Sequence, residues 1–344
     1  LPIDPAQLPL PLLLLVFAAA AVAVWRFGFR LTRLVDDISD RTGIGQAFGG
    51  MLLLGGITSL PELATVSTSA ATGNAPLAVN NLIGSAAINL ILLAVADVLY
   101  GKGALTKVAA KPGTLMQGTL GMVLMASVAF AIATREIDLF GVTGAWSLLL
   151  AAGCVWALRL AARFPKKHSW EVVDPDETPE RETERPGRSL SRLYISLAGT
   201  ALSILVAGFV LSQGGDAIAQ KSGLSASLVG FLLVGFATSL PELSSVTAAA
   251  RMQRYELAVG DIFGTNLFNV ALLFVVDLIY RGPPVLSQAG RFETIGALMA
   301  VLISGAFVIG LLERRDKAVL RMGYDSLAAI IIFALGVFGL SQAS

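Results

Sequence analysis

The sequence predicts an all-α integral membrane protein, with ten transmembrane helices arranged as two inverted five-helix repeats. Three observations carry that expectation: an apolar composition, ten apolar runs of spanning length, and an internal duplication at a fixed offset. Hydrophobic residues make up 55% of the 344-residue chain and charged residues only 14%, too little polar material to clothe a water-soluble domain of this size. Most of its solvent must be lipid.

The apolar runs fall near 8–27, 44–72, 76–100, 114–134, 141–163, 191–212, 225–252, 256–280, 292–312 and 324–340. Each approaches or exceeds the roughly 20 residues that cross a hydrocarbon core. No Lys or Arg precedes the first run, which opens with Pro2, Pro5, Pro9 and Pro11, so it is read as a permanent helix and not as a cleaved leader. Basic residues set the orientation: with the N-terminus outside, inner loops hold 21 Lys/Arg and outer loops four. Both termini are therefore expected outside a plasma (inner) membrane, with the central loop in the cytoplasm. The net charge of +1 gives no footprint for nucleic acid, and no protein partner is predicted. With one Cys, Cys154, and one His, His168, no disulfide or Cys/His metal centre can form, so any bound cation must use oxygen ligands.

Residues 164–190 mix both charges with four prolines, the composition of a solvated linker. They divide the chain into a first membrane half, 1–163, and a second, 191–344. The halves match without a gap at an offset of 180 residues: GGITSLPEL at 55–63 against GFATSLPEL at 235–243. Between 36–100 and 216–280, 25 of 65 positions are identical, beyond what shared apolar composition produces, so the chain carries a true duplication. Five spans separate equivalent points. An odd number inverts the second copy in the membrane, the arrangement many secondary transporters build around a site at the midplane.

Both copies repeat one polar pattern. Thr58, Ser59 and Glu62 share a helical face at spacings of three and four, as do Thr238, Ser239 and Glu242. In the following spans Ser85 and Asn89 stand four apart, as do Thr265 and Asn269. An ionisable residue at that depth faces a cavity, a partner or an ion, and no basic residue lies deep in any span to pair with Glu62 or Glu242. Pro61 and Pro241 remove an N–H from each helix, and Gly55 and Gly235 lie just upstream, so each helix is expected to break or kink there. Carboxylate, hydroxyl, amide and carbonyl oxygens together suit hard cations such as Ca2+ and Na+. Asp97 and Asp277, near span ends, are read as structural, and Asn81 and Asp261 as satisfying backbone groups at span starts.

These segments, ITSLPE at 57–62 with GSAAIN at 84–89 and ATSLPE at 237–242 with GTNLFN at 264–269, resemble the alpha repeats of the cation/calcium antiporter superfamily, and within it the sodium/calcium exchangers. The repeats would span about 36–100 and 216–280. The resemblance implies Na+/Ca2+ antiport by alternating access, with no cofactor and with Ca2+ and Na+ as transported ions. It implies Glu62 and Glu242 as central Ca2+ ligands shared with Na+, flanking Na+ ligands from Thr58, Ser59, Ser85, Thr238, Ser239 and Thr265, and Asn89 and Asn269 lining the centre. Spans one and six would be the moving elements, and residues 8–25 carry almost nothing that could hydrogen bond and lock span one. Ile57 and Ala237 stand where the family has Gly, Ala86 where it has Asn, and Asn269 where many relatives have Asp. The alternative is Ca2+/H+ exchange, which a buried Glu can also support. An enzyme is not expected, since there is no HExxH or GxSxG and no His near either Glu.

Overall fold

A computed structural model describes residues 8–101, 103–134, 136–139, 143–163, 189–222, 235–314, 318–319 and 321–342. Most of the expected linker and the first part of the expected seventh span lie outside these residues. The described chain is almost wholly helical.

Helix α1 (Leu10–Thr42) starts with Pro11 in its first turn, where a missing N–H costs nothing. It ends at Gly43, whose left-handed φ of +65° lets its N–H donate to the Ser39 carbonyl. It outruns the expected 8–27 because Arg26, Arg30, Arg33 and Arg41 end an apolar run without ending a helix, arginine being a good helix former. Next come α2 (Gln46–Gly49), one π-helical turn (Gly50–Leu54), α3 (Gly55–Thr58) and α4 (Leu60–Ala71), the segments on either side of Ser59 being bent by 41°. The expected break is therefore present. The π turn just before it was not expected.

Helix α5 (Ala75–Tyr100) is capped by the Asn74 side chain, which accepts from the Leu77 N–H at 3.2 Å. A short α6 (Leu105–Ala109) leads to α7 (Pro112–Thr134), a two-residue ladder of β1 (Asp138–Leu139) with β2 (Thr143–Gly144), and α8 (Ala145–Arg163). The second half follows the same order. It comprises α9 (Leu190–Ser222), α10 (Gly235–Thr238), α11 (Leu240–Arg251), α12 (Tyr255–Ile279), a 3-10 turn (Val285–Ser287), α13 (Arg291–Glu313), the ladder of β3 (Ala318–Val319) with β4 (Met322–Gly323), and α14 (Tyr324–Ser341). The two ladders are the sole departure from the all-α expectation among the described residues.

Eight described helices are long and apolar enough to cross a membrane, and the bent pair around Ser59 makes a ninth candidate. Helices α5 and α12 carry apolar residues all round, interrupted by the polar side chains of the centre, and are buried along most of their length, as a helix enclosed by other helices must be. They pack on each other at the centre, with α4 and α11 alongside. Helices α8 and α14 lie outside, with large apolar side chains such as Trp156 and Phe338 exposed as a bilayer requires.

The halves interlock. Helix α1 packs along α9 and also across the second half's α11, while α9 packs across the first half's α4. Both crossings use glycine: a side chain at Gly28 would overlap Ser244, and one at Gly208 would overlap the Pro61 ring. Span one is less free than its apolar start implied, because the Ser244 hydroxyl donates to the Trp25 carbonyl at 2.6 Å and Thr32 to the Ser245 carbonyl at 3.3 Å. Arg254, ahead of α12, also pairs with Asp36 at 2.8 Å and Asp40 at 3.0 Å.

Candidate cation site

Pro61 and Pro241 set the site. Each stands second in its helix, after Ser59 or Ser239, where the chain turns between two helical segments. The break carries Thr58 and Glu62 on one side of the bundle centre and Thr238 and Glu242 on the other. The close approach of α3 to α12 depends on Gly55, where a Cβ would come within 2.7 Å of the Thr265 backbone nitrogen.

Hydroxyls pair across the halves. Thr58 Oγ1 lies 3.3 Å from Thr265 Oγ1, and Ser85 Oγ lies 2.9 Å from Thr238 Oγ1. Asn81 Oδ1 accepts from both Ser85 and Thr238 at 3.3 Å. In the equivalent place Asp261 Oδ1 accepts from Thr58 at 3.4 Å, and its Oδ2 accepts from the Ser245 hydroxyl. Asn81 and Asp261 thus sit two turns inside their helices and bond hydroxyls, not the backbone groups at helix starts that the sequence led one to expect. The four-residue spacings 81/85 and 261/265 were the available signal.

Glu62 and Glu242 are fully buried, and neither completes a hydrogen bond through its carboxylate oxygens. The Thr238 hydroxyl lies beside Glu62 and the Thr58 hydroxyl beside Glu242, each crossing from the opposite half. No Lys or Arg pairs with either among the described residues. Ionised together, the two carboxylates would repel each other, and an ionised Asp261 would repel both. Also without hydrogen-bond partners are both polar atoms of buried Asn269, Oδ1 of Asn89 and Oγ of Ser239. Buried polar atoms normally find partners, so this concentration marks a place for a ligand. The donors are hydroxyl, amide and carboxylate oxygens, suited to a hard cation.

All twelve residues singled out from the sequence are buried around this centre: Gly55, Thr58, Ser59, Glu62, Ser85, Asn89, Gly235, Thr238, Ser239, Glu242, Thr265 and Asn269. The Gly55 and Gly235 carbonyls already accept hydrogen bonds from Ser59 and Ser239 N–H at 3.1 Å, and the Ser59 hydroxyl also donates to Gly55 at 2.7 Å. Asn266 went unnoticed in the sequence. It accepts from Asn89 Nδ2 at 3.5 Å and donates to the Ala86 carbonyl at 3.1 Å, and Ala86 is its own counterpart in the first half. Among the described residues no three His, Cys, Asp or Glu side chains converge on one point.

Helices of spanning length around a buried, oxygen-lined centre place the chain among integral multi-pass membrane proteins. The family described as sodium/calcium exchanger protein matches residues 12–160 and 192–341, and the chain belongs to that family. Its members are transporters, so the chain is not an enzyme, and cation/calcium antiport is its functional class. It is 26% identical to the putative antiporter CaxA of Alkalimonas amylolytica over 286 residues, covering 81% of this chain and 85% of that one. The inner membrane protein YrbG of Escherichia coli (strain K12) is 26% identical over 254 residues, 73% of this chain and 72% of YrbG. The sodium/calcium exchanger MaX1 of Methanosarcina acetivorans is 38% identical over 78 residues, 20% of this chain and 22% of MaX1. Among solved structures, the sodium-calcium exchanger NCX_Mj soaked with zero Na+ and Ca2+ superposes with a TM-score of 0.67 at 17% identity, over 98% of this chain and all of that one. NCX_Mj soaked with 10 mM Na+ and 10 mM Sr2+ gives 0.65 at 18% identity, over 97% and 99%. At that identity the likeness is one of fold.

Proposed function

We propose that this chain exchanges Na+ for Ca2+ across a bilayer by alternating access, through ten helices in two inverted repeats around a midplane site. One observation carries the reading: two buried glutamates on broken helices of opposite halves present carboxylate oxygens that the protein leaves unpaired. An uncompensated carboxylate in a low-dielectric interior costs several kcal/mol, and a bound cation offsets it directly.

Glu62 and Glu242 hold Ca2+ between them and share these oxygens with Na+. Thr58, Ser59 and Ser85 flank them on one side, Thr238, Ser239 and Thr265 on the other, and Asn89 and Asn269 line the centre with neutral oxygens. Two ionised glutamates match the charge of one Ca2+. The ions therefore compete for the same oxygens, which is what obliges exchange instead of leak. Access alternates as α1 and α9 shift together over the bent helices, where glycines at 28 and 208 make room for Ser244 and Pro61. The charge distribution supports an orientation with both termini outside a plasma (inner) membrane.

Radiolabelled Ca2+ uptake into proteoliposomes tests the reading. Uptake should follow an imposed Na+ gradient without a pH gradient and stop when Na+ is absent from the opposite side. Uptake under a pH gradient alone would establish Ca2+/H+ exchange instead, and flux with no counter-ion would establish a channel.

A further inference from the structure

We propose that Asp261 is a third anionic position of the transport site, holding a monovalent cation of the Na+ class beside the Thr58 and Ser245 hydroxyls. The inference rests on the exchange reading above and specifies where one of its ions sits.

Asp261 is fully buried on α12, and no Lys or Arg pairs with it among the described residues. Its counterpart separates what its hydrogen bonds require from what its charge adds. Asn81 accepts from Ser85 and Thr238 through a neutral carbonyl oxygen, so joining hydroxyls across the halves requires only an acceptor. Asp261 does the same for Thr58 and adds a negative charge that the first half lacks.

The second hydroxyl on Asp261 is also peculiar to its half. Ser245 points to Asp261, whereas its counterpart Thr65 turns away, donating to the Pro61 carbonyl at 2.9 Å and the Ser212 hydroxyl at 2.8 Å. One carboxylate and two hydroxyls are thus gathered at a single place. The Thr58 hydroxyl facing Asp261 also lies beside Glu242, whose buried oxygens are unpaired.

A buried carboxylate without a protein counter-charge takes up a proton or a cation, and the two hydroxyls that donate to both oxygens of Asp261 favour the ionised form and hence the cation. The three acids do not converge on one point, so Asp261 forms a flanking position joined to the glutamate pair through Thr58. A single carboxylate with neutral hydroxyls supplies one negative charge and hard oxygen ligands, which fits a monovalent ion better than Ca2+. The charge sum changes accordingly. Glu62, Glu242 and Asp261 together give minus three, which three Na+ neutralise, whereas Ca2+ alone leaves minus one.

Asp261→Asn removes the charge and keeps one acceptor oxygen, which Asn81 shows is sufficient for the hydroxyl from the opposite half, while its NH2 can donate to Ser245 Oγ in place of accepting from it. Ser245→Ala removes one hydroxyl and no charge. Both go into proteoliposomes beside the unmodified chain, with Ca2+ exchange measured against Na+ and against Ca2+. Asp261→Asn should raise the half-saturating Na+ concentration about tenfold or more, the scale of losing one close charge at an intermediate effective dielectric. It should also flatten the Na+ dependence and shift half-saturating Ca2+ by less than about threefold, since hydroxyl bonding and the glutamate pair persist. Ser245→Ala should move the Na+ dependence the same way by a smaller factor. Exchange by the unmodified chain with unaltered Na+ affinity and steepness in both variants would overturn the assignment while leaving the exchange reading intact. No Na+-driven Ca2+ exchange by the unmodified chain would overturn that reading, and the assignment with it.

Discussion

Asp97 on α5 and Asp277 on α12, 180 positions apart, each cap a helix belonging to the other half of the chain. Asp97 accepts from the Leu105 N–H in its own half and from Gly323 N–H and Ser326 Oγ at the start of α14, all at 2.6 Å. Asp277 accepts from Val285 N–H at 2.7 Å, then from Gly144 N–H at 2.5 Å, Ser147 Oγ at 2.6 Å and Thr143 Oγ1 at 2.8 Å at the start of α8. Negative charge at a helix start also meets the positive end of its dipole.

Removing such a cap leaves several buried donors unsatisfied, at about 1–3 kcal/mol each. Asp277→Ala and Asp97→Ala should therefore destabilise the protein by about 3–5 kcal/mol, seen as a lower Tm in detergent by thermal gel filtration. Asp277→Asn, which keeps an acceptor, should lose less. An unchanged Tm in both alanine variants would show that these bonds hold nothing together.

Glu62→Gln and Glu242→Gln should each cut Na+-dependent Ca2+ flux by about a hundredfold or more, the scale of losing one buried charged ligand. Because each change removes a buried, mutually repelled charge, Tm in the absence of ions should not fall. The stabilisation that saturating Ca2+ gives by binding the folded state should vanish. Near-normal flux in either variant would remove that residue from the site.

Gly208→Val and Gly28→Val place methyl groups against Pro61 and Ser244. Overpacking of this kind costs about 1–3 kcal/mol. Exchange should slow by about tenfold, while equilibrium Ca2+ binding, measured by calorimetry, changes by less than about threefold, since neither residue is among those proposed to hold an ion. Equal losses in rate and binding would place the crossing inside the binding machinery.

Asn269→Ala removes a buried amide with no hydrogen-bond partner. Half-saturating Na+ should rise more than half-saturating Ca2+, because the two glutamates alone match the charge of Ca2+ while Na+ relies more on neutral oxygens. Unchanged dependence on both ions would show that the amide meets no transported ion.

The break at Ser59 and Ser239 was legible because proline and glycine act locally, and the duplicated TSLPE placed both glutamates at equivalent positions. The burial of all twelve candidate residues followed from the depth of their spans. Relations between halves were not legible. Sequence spacing gave no sign that Asp97 bonds Ser326, or that Asn266 reaches the carbonyl of its counterpart Ala86, because these depend on how two helices cross. The length of α1 was hidden for another reason: hydropathy ends where its arginines begin, whereas helix propensity does not.

The exchanged caps bear on how the chain is made. When the ribosome has delivered α8, the Gly144 amide has no acceptor and the Ser147 hydroxyl has only near neighbours such as the Gly144 carbonyl, since residue 277 has yet to be synthesised. The first half must wait in the bilayer with an open donor, and α4 waits likewise for α9. Arrival of the second half closes both, so insertion and assembly are separate events. A chain ended after α8 would keep the Gly144 amide without its acceptor and α4 without its cover from α9.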